Sequence, residues 1–316
     1  MPRVAVIDIG SNSIKVLVVA RDGAGPAWVL QSKTIDARIS AGIGGSAPRL
    51  SPEGMARGLA AITELLGDAT TFAPAAVVLV ATSAVRDAVN GAEFRALVRA
   101  ATGHEIRILT GAEEAALIGR GLTCDPALAD LRDFYVFDLG GGSLECLAFC
   151  NRRIQQAVSL QLGCVRLTEK FVADPSAPFS AEARQRIDAH VRDVLRQSGF
   201  RFTLTAAAGV GTGGTVATVR AILGARTGRP VEAADPRVTL ALLRELLDQT
   251  GALPLAQRCL VPGLPPSRAD VFPAALATII ALADVGGLGE FRHSFYNLRW
   301  GLAAETLDHL PGGAGA

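Results

Sequence analysis

The pattern of hydrophobic and polar positions repeats one arrangement twice along the chain. Within residues 4–19, two mostly apolar runs flank the polar turn GSNS, and within residues 135–149 two similar runs flank the turn GGGS. The first run of each pair carries an acidic residue near its end, Asp8 or Asp138. Two strands joined by such a turn form a hairpin, and glycine lets successive backbone N–H groups converge on an anion. Two such hairpins predict a duplicated domain with a phosphate site between the copies.

The same pattern predicts the remaining elements. Short apolar or alternating runs indicate strands, whereas apolar positions three and four apart indicate helices. Predicted strands lie at 28–35, 76–81, 106–109, 157–160 and 203–210. Predicted helices lie at 52–66, 92–101, from 111 onwards, at 181–197, 239–248 and 267–283, and at the end through 310. Strands followed by helices in both halves indicate the α/β fold class, and 316 residues suit two domains of about 150 residues each.

Composition narrows the class of protein. Hydrophobic residues make up 49% of the chain and charged residues 19%, which is enough for two cores. The longest apolar stretch, 272–283, is about half of the ~20 residues that a membrane span needs. Asp8 interrupts the only apolar run at the N-terminus, so no secretory signal is expected. These features predict a soluble cytoplasmic protein without a membrane partner.

Charge and reactive residues exclude several functions. The 31 basic and 30 acidic residues are dispersed, without the basic stripe that is typical of a nucleic-acid partner. The five cysteines include no CxxC pair, which favours a reducing compartment, and the four histidines are scattered. The sequence therefore predicts no nucleic-acid binding, no zinc site and no Ser/His/Asp triad.

Several motifs occur in a fixed order along the chain. They are DIGSNS, ATSAVRDAVN, TGAEEA, DLGGGSLE, LGCVRLTE, GTGGT, RADVFPA and LRWG. Together they resemble the exopolyphosphatase / guanosine pentaphosphate phosphohydrolase (Ppx/GppA phosphatase) family over residues 3–303. The resemblance implies two ribonuclease-H-like domains of the actin, sugar kinase and heat-shock ATPase superfamily, with an interdomain cleft. It assigns 1–116 to the first domain and 117–298 to the second, with the terminal helix 299–310 packing back on the first.

Two further structural expectations concern the last motif and the places where the chain passes between the domains. Asn297 stands where the family usually has glycine. A hinge is expected at 111–120 and 297–301, where glycines such as Gly301 would give the backbone freedom to move.

The TGAEEA motif supplies the candidate catalytic residue. Glu114 matches the catalytic glutamate of the family, and a carboxylate beside a phosphoryl group can orient or deprotonate the attacking water. The alternative is that Glu113 and Glu114 merely favour a helix N-terminus, where acidic residues are common. In the preferred interpretation Glu113 is the solvent-exposed neighbour.

Three turns and one arginine are candidates for phosphate binding. The GTGGT turn joins a strand to a helix N-terminus, which attracts anions, although it could also be a simple tight turn. Arg86 follows a strand and could clamp phosphate, or else form a surface salt bridge. The candidate phosphate ligands in the turns are Ser11, Asn12, Ser13, Gly140, Gly141, Gly142, Ser143, Gly213, Gly214 and Thr215.

The second hairpin is also the candidate metal site. Asp138 ends one strand and Glu145 lies on the next, so a tight turn could bring both carboxylates to one Mg²⁺ or Mn²⁺ ion. Asp8 occupies the equivalent place in the first hairpin and is a further candidate ligand. The alternative is that Asp138 only caps the turn and Glu145 is an exposed strand residue.

The preferred function is a metal-dependent phosphoanhydride hydrolase. Its expected substrates are inorganic polyphosphate, guanosine pentaphosphate, or both, from which it would release terminal orthophosphate. An ATPase or kinase of the same superfamily is one alternative, and a non-catalytic regulator that binds guanosine alarmones is another. The sequence leaves open whether the protein forms a homodimer.

Overall fold

The computed structural model describes residues 1–40, 47–204 and 207–310, and these fall into two compact units. The first unit contains Met1–Pro126 and the segment from Tyr296 onwards, and the second contains Ala127–Phe295. The chain therefore passes between the units after Pro126 and after Phe295, whereas the sequence placed these passages at 116/117 and 298/299. The difference arises because one unbroken helix, Gly111–Thr123, spans the expected first boundary.

The first unit is built on a five-stranded sheet. Its strands are β1 (Arg3–Ile9), β2 (Ile14–Ala20), β3 (Trp28–Ile35), β4 (Ala76–Ala81) and β5 (Ile106–Ile108). They lie in the order β3-β2-β1-β4-β5. β1 and β2 pair antiparallel around the GSNS turn, and β1 and β4 pair parallel. The apolar side chains of β1 are all buried, as expected for a central strand rich in Val and Ile, whereas Arg3 is exposed and Asp8 half-buried.

The helices of the first unit follow their sequence signals. They are α1 (Pro52–Thr70), α2 (Ser83–Arg86), α3 (Gly91–Thr102) and α4 (Gly111–Thr123). Ser51 caps α1 by accepting a hydrogen bond from the backbone N–H of Gly54, with proline in the first turn. α1 continues four residues beyond the predicted end at 66, because Ala69 extends its buried face.

The second unit repeats this sheet and adds one strand. Its strands are β6 (Phe134–Leu139), β7 (Leu144–Cys150), β8 (Arg153–Leu160), β9 (Ala208–Thr212), β10 (Arg237–Thr239) and β11 (Glu290–His293). The order is β10-β11-β9-β6-β7-β8. The strand predicted at 203–210 instead begins at Ala208 and runs to Thr212, and residues 205–206 of that prediction lie outside the described part of the chain.

Helices pack beside the second sheet. They are α5 (Cys164–Phe171), α6 (Ala181–Gln197), α7 (Gly214–Thr227), α8 (Leu240–Gly251), α9 (Leu255–Arg258) and α10 (Phe272–Gly286). The helix predicted at 267–283 is divided into a 3₁₀ turn, Pro266–Arg268, and α10. Pro273 explains the division, because a proline lacks the N–H of the helix interior and is accommodated only in the first turn.

The terminal helix α11 (Leu298–His309) packs against α4 and β1 within the first unit. Asn297 caps α11 with its side chain and has an extended φ of −149°, so the backbone does not require glycine at this position. A Cβ added to Gly301 would lie 1.9 Å from the carbonyl oxygen of Leu117. Gly301 therefore permits a close crossing of α4 and α11, and the hinge expected at 297–301 stays a prediction.

Both sheets share one core topology, in which a three-stranded antiparallel meander is followed by parallel strands beside its first strand. This is the ribonuclease-H-like arrangement, and it confirms the predicted α/β fold class and the duplication. Among residues 1–40, 47–204 and 207–310, no helix is both long and apolar enough to cross a membrane.

Candidate functional site

The GSNS turn of the first unit is held from behind by backbone hydrogen bonds. The N–H of Arg38 donates to the carbonyl of Asn12 at 2.8 Å, and the N–H of Ser40 donates to the carbonyl of Ser11 at 3.3 Å. In a trans peptide the N–H points opposite to the carbonyl. The N–H groups of Asn12 and Ser13 therefore point away from the 38–40 segment, where an anion can accept from them.

The GGGS turn of the second unit is built in the same way. The first amides of α5 donate to its carbonyls: Cys164 N–H to Gly140 at 3.0 Å and Val165 N–H to Gly141 at 2.9 Å. The side chain of Arg166 donates to the carbonyl of Gly142 at 3.0 Å. The N–H groups of residues 141–143 are thereby directed to the other side, as a phosphate-binding turn requires.

Glycine at position 163 makes this packing possible. A Cβ at Gly163 would lie 2.3 Å from the carbonyl oxygen of Gly141 and from backbone atoms of Gly142. Any other residue would push α5 away from the turn. The backbone of the LGCVRLTE motif therefore packs directly against the backbone of the DLGGGSLE motif.

The GTGGT turn lies beside Asp138 in the second unit. Thr212 is the parallel neighbour of Asp138, and Gly213 has a φ of +83°, a conformation that favours glycine. A Cβ at Gly213 would come within 2.2 Å of Asp138 Oδ1, and one at Gly214 within 2.1 Å of Arg268 Nη1. This turn therefore contacts a carboxylate and a guanidinium, at the N-terminus of the 14-residue helix α7.

Several polar atoms of these turns have no hydrogen-bond partner among the described residues. The amide of Asn12 and the hydroxyls of Thr212 and Thr215 are buried and make no hydrogen bond to any described residue. Buried polar groups are normally paired, so an unpaired group in a native structure calls for an ordered water or a ligand. Their positions in the GSNS and GTGGT turns agree with an anion-binding role.

Glu114 lies in the first turn of α4 and is buried, with 6% of its surface exposed. Its Oε2 is 3.2 Å from Nη1 of Arg86, which also donates to the carbonyl of Leu109 at 2.9 Å. Nε of Arg86 pairs with Asp87 at 3.2 Å. Arg86 is thus fixed beside Glu114, and the structure brings these two predicted residues together.

Glu113 has a different role. Its Oε2 accepts hydrogen bonds from the backbone N–H and the hydroxyl of Thr110, both at 2.9 Å, and completes a capping box. Its Oε1 pairs with Arg107 at 2.9 Å. The hydrogen bond from the Thr110 backbone, with those from Arg107 and the Thr110 hydroxyl, lowers the pKa of Glu113 to about 2. Glu113 is therefore a poor proton acceptor, and the helix-terminus interpretation applies to it.

The two carboxylates of the second hairpin face one another. Asp138 on β6 lies directly opposite Glu145 on β7. Glu145 is only 2% exposed, and its Oε1 accepts a hydrogen bond of 2.7 Å from the hydroxyl of Ser159 on β8. The interpretation of Glu145 as an exposed strand residue is wrong, because its side chain is buried and bonded to Ser159 of the neighbouring strand.

The donor set fits a hard divalent cation with few protein ligands. In the part of the chain that the structure describes, no three or more His, Cys, Asp or Glu side chains form a metal-binding group. Mg²⁺ commonly takes one or two carboxylates and completes its shell with water and substrate phosphate. Asp138 and Glu145 supply that number.

The first hairpin differs at the equivalent position. Asp8 lies opposite Lys15 across β1 and β2, where the second hairpin pairs Asp138 with Glu145. A cation opposite Asp8 disfavours a second positive charge there. The second hairpin is consequently the better candidate for a metal ion.

Sequence reasoning missed three side chains at these turns. Arg268 touches Gly214, Arg166 holds the GGGS turn, and Ser159 orients Glu145. Arg268 and Arg166 lie within the motifs RADVFPA and LGCVRLTE, so a signal was present. Nothing in the sequence shows which turn each of them contacts.

The fold defines a duplicated ribonuclease-H-like protein, in which each unit carries a polar turn between the first two strands of its sheet. A profile of the Ppx/GppA phosphatase family matches residues 18–310. The chain is similar to an exopolyphosphatase from Cytophaga hutchinsonii, with a TM-score of 0.85 and 22% identity over 99% of this chain and 100% of that one. It is also similar to a Ppx/GppA family member from Aquifex aeolicus, with a TM-score of 0.76 and 24% identity over 98% and 99% of the two chains. The protein belongs to the Ppx/GppA phosphatase family, which confirms the resemblance found in its motifs.

Proposed function

We propose that this phosphatase is a metal-dependent phosphoanhydride hydrolase that releases terminal orthophosphate from inorganic polyphosphate, guanosine pentaphosphate, or both. Glu114 would orient or deprotonate the attacking water, and the GSNS, GGGS and GTGGT turns would bind substrate phosphates. Asp138 and Glu145 would hold Mg²⁺ or Mn²⁺.

The observation that carries this proposal is the buried pair of Glu114 and Arg86. A carboxylate with 6% exposure, held 3.2 Å from a guanidinium, has a fixed direction and little competition from bulk water. Hydrolysis of a phosphoanhydride depends mainly on placing the water and on positive charge near the phosphoryl oxygens. Glu114 can do the first and Arg86 can contribute to the second.

The second hairpin supports the need for a cation. A bound divalent ion would place positive charge on the phosphate oxygens that the turn amides alone do not neutralise. Ser159 holds one oxygen of Glu145, which restricts the direction of the other. Asp8 lies opposite Lys15, and the proposal includes it only as a possible additional metal ligand.

Substrate choice is tested by measuring phosphate release. The substrates are tripolyphosphate, long-chain polyphosphate, guanosine pentaphosphate and ATP, each with Mg²⁺ or with EDTA. We expect Mg²⁺-dependent release from at least one of the first three, and much slower release from ATP. Preference for ATP would favour the ATPase or kinase alternative. Alarmone binding without any phosphate release would favour the regulator.

The role of Glu114 is tested by a matched pair of substitutions. Glu114→Gln removes a carboxylate charge with little change in volume, and loss of general-base help should lower turnover about 10²–10⁴-fold. Affinity for substrate should change little. Glu113→Gln makes the same chemical change one residue earlier, at the capping box, and should retain most of the turnover. Equal losses in the two variants would contradict the assignment of the base.

A further inference from the structure

Arg258 is a fully buried arginine that the proposed reaction does not use. It ends the short helix α9 and is 1% exposed. Its Nε donates to the carbonyl of Thr250 at 2.9 Å, and its Nη1 to the carbonyl of Ala269 at 3.0 Å. Its Nη2 donates to the carbonyls of Leu253 at 2.7 Å and Ala177 at 3.3 Å. One guanidinium therefore ties together three separate segments of backbone.

This arrangement is costly for a residue that only fills space. Burial lowers the pKa of Arg258, and the nearby charge of Asp270 acts in the opposite direction. The four hydrogen bonds of its guanidinium all go to main-chain carbonyls. An apolar side chain could occupy such a place without the desolvation penalty of a charge.

The contact with Ala269 connects Arg258 to the GTGGT turn. Ala269 follows Arg268, whose guanidinium lies against Gly214 at the start of α7. The backbone hydrogen bonds around Ala269 are local: the N–H of Arg268 donates to Pro265, that of Ala269 to Pro266 and that of Val271 to Arg268. Arg258 is thus what joins the Ala269 carbonyl to the distant segments at Thr250 and Ala177.

We propose that Arg258 is a positioning residue, which holds the Ala269 peptide so that Arg268 stays over the GTGGT turn and meets substrate phosphate. The inference rests on the proposed function, in which this turn binds a polyanion. Lysine cannot replace Arg258 in this role, because one ammonium group does not reproduce a planar fork of donors.

The test measures binding, not turnover. An imido analogue of tripolyphosphate, which resists hydrolysis, is titrated calorimetrically with Mg²⁺ into wild type, Arg258→Lys, Arg268→Gln and the double variant. We expect each single variant to bind about 10-fold or more weakly. The double variant should bind no more weakly than Arg268→Gln, because Arg258 acts through Arg268.

A matched control separates positioning from general stability. Arg152 also donates to two main-chain carbonyls, of Leu128 at 2.6 Å and Leu131 at 2.9 Å, but it lies at the β7–β8 turn, at the other end of those strands from the GGGS turn. Arg152→Lys should lower the unfolding temperature and leave the affinity for the analogue unchanged.

The outcomes distinguish the inference from the proposed function. Wild type that fails to bind the analogue would refute the function itself. A different result would overturn the positioning role alone: wild type binds the analogue, and Arg258→Lys weakens the affinity by the same factor with or without Arg268. Should Arg258→Lys fail to fold, Arg258→Met removes the buried charge and is tested in the same way. Failure of both to fold would make Arg258 a scaffold residue and would also overturn the assignment.

Discussion

Between pH 8 and pH 5 the protein should lose about 2 kcal/mol of its free energy of unfolding through one buried histidine, His293. His293 ends β11 beside Gly211 of β9 and is 5% exposed. Its Nδ1 lies 2.9 Å from Nη1 of Arg220. Arginine can only donate, so Nδ1 accepts and the neutral ring carries its proton on Nε2. Burial, and then the charge of Arg220, lowers the pKa of His293 to about 3.

The sign and size follow from this pKa. In the unfolded chain the imidazole has its ordinary pKa of 6.5, so below that pH the unfolded state binds a proton that the folded state refuses. The contribution of His293 to the free energy of unfolding is therefore fully present above pH 6.5. It decreases as the pH falls, until the imidazole of the folded state titrates at about pH 3. At pH 5 the loss is RT ln(1 + 10^1.5), or about 2 kcal/mol, while protonation of the folded state adds less than ~0.1 kcal/mol.

Urea denaturation of wild type and His293→Gln at the two pH values measures this loss. Glutamine can still accept from Arg220 but does not titrate. Other ionisable groups contribute to both proteins, so the difference between the two pH dependences isolates His293. If wild type and variant lose the same stability between pH 8 and pH 5, the histidine is not held neutral and the reasoning fails.

Two further predictions concern the carboxylate pair and the helix crossing. Asp138→Asn and Glu145→Gln should each raise the Mg²⁺ concentration needed for half-maximal activity. Cys146→Ala, on the opposite face of β7, should leave that concentration unchanged. Identical Mg²⁺ titrations of wild type and both carboxylate variants would remove Asp138 and Glu145 from the metal site. Gly301→Ala should lower the free energy of unfolding by about 1–3 kcal/mol, because the added methyl meets the neighbouring helix. Gly67→Ala in α1 has open space and should gain about 0.5–1 kcal/mol, so equal effects in urea denaturation would contradict the packing argument.

Local pattern was sufficient for much of the fold. The strands at 28–35 and 76–81 and the helix at 181–197 match their predicted bounds, because turn residues and Ser180 mark their ends clearly. The repeated Asp-and-turn hairpins predicted the duplication. The predicted bounds were wrong where the ends of an element carried weaker signals, as at the strand expected at 203–210. They were also wrong where Pro273 interrupted an apolar run.

The candidate site was predicted as a set of residue types, and their roles remain proposals. The sequence singled out the two adjacent acids of TGAEEA but gave no physical ground for ranking them beyond family resemblance. The structure separates them: Glu113 closes a capping box and pairs with Arg107, whereas Glu114 turns inward to Arg86. A difference of one residue rotates a helical side chain by about 100°.

The sequence by itself determined the strand-turn-strand pattern, the two-unit α/β fold and the family to which the chain belongs. Only the tertiary structure decided which way the backbone amides of the GGGS turn point, because the α5 amides bind the carbonyls of these peptides across a gap of some twenty residues. It also decided that Arg268 meets Gly214 and that Gly301 permits a close crossing of two helices. Contacts between residues distant in the chain have no local pattern, since they depend on how separate elements pack.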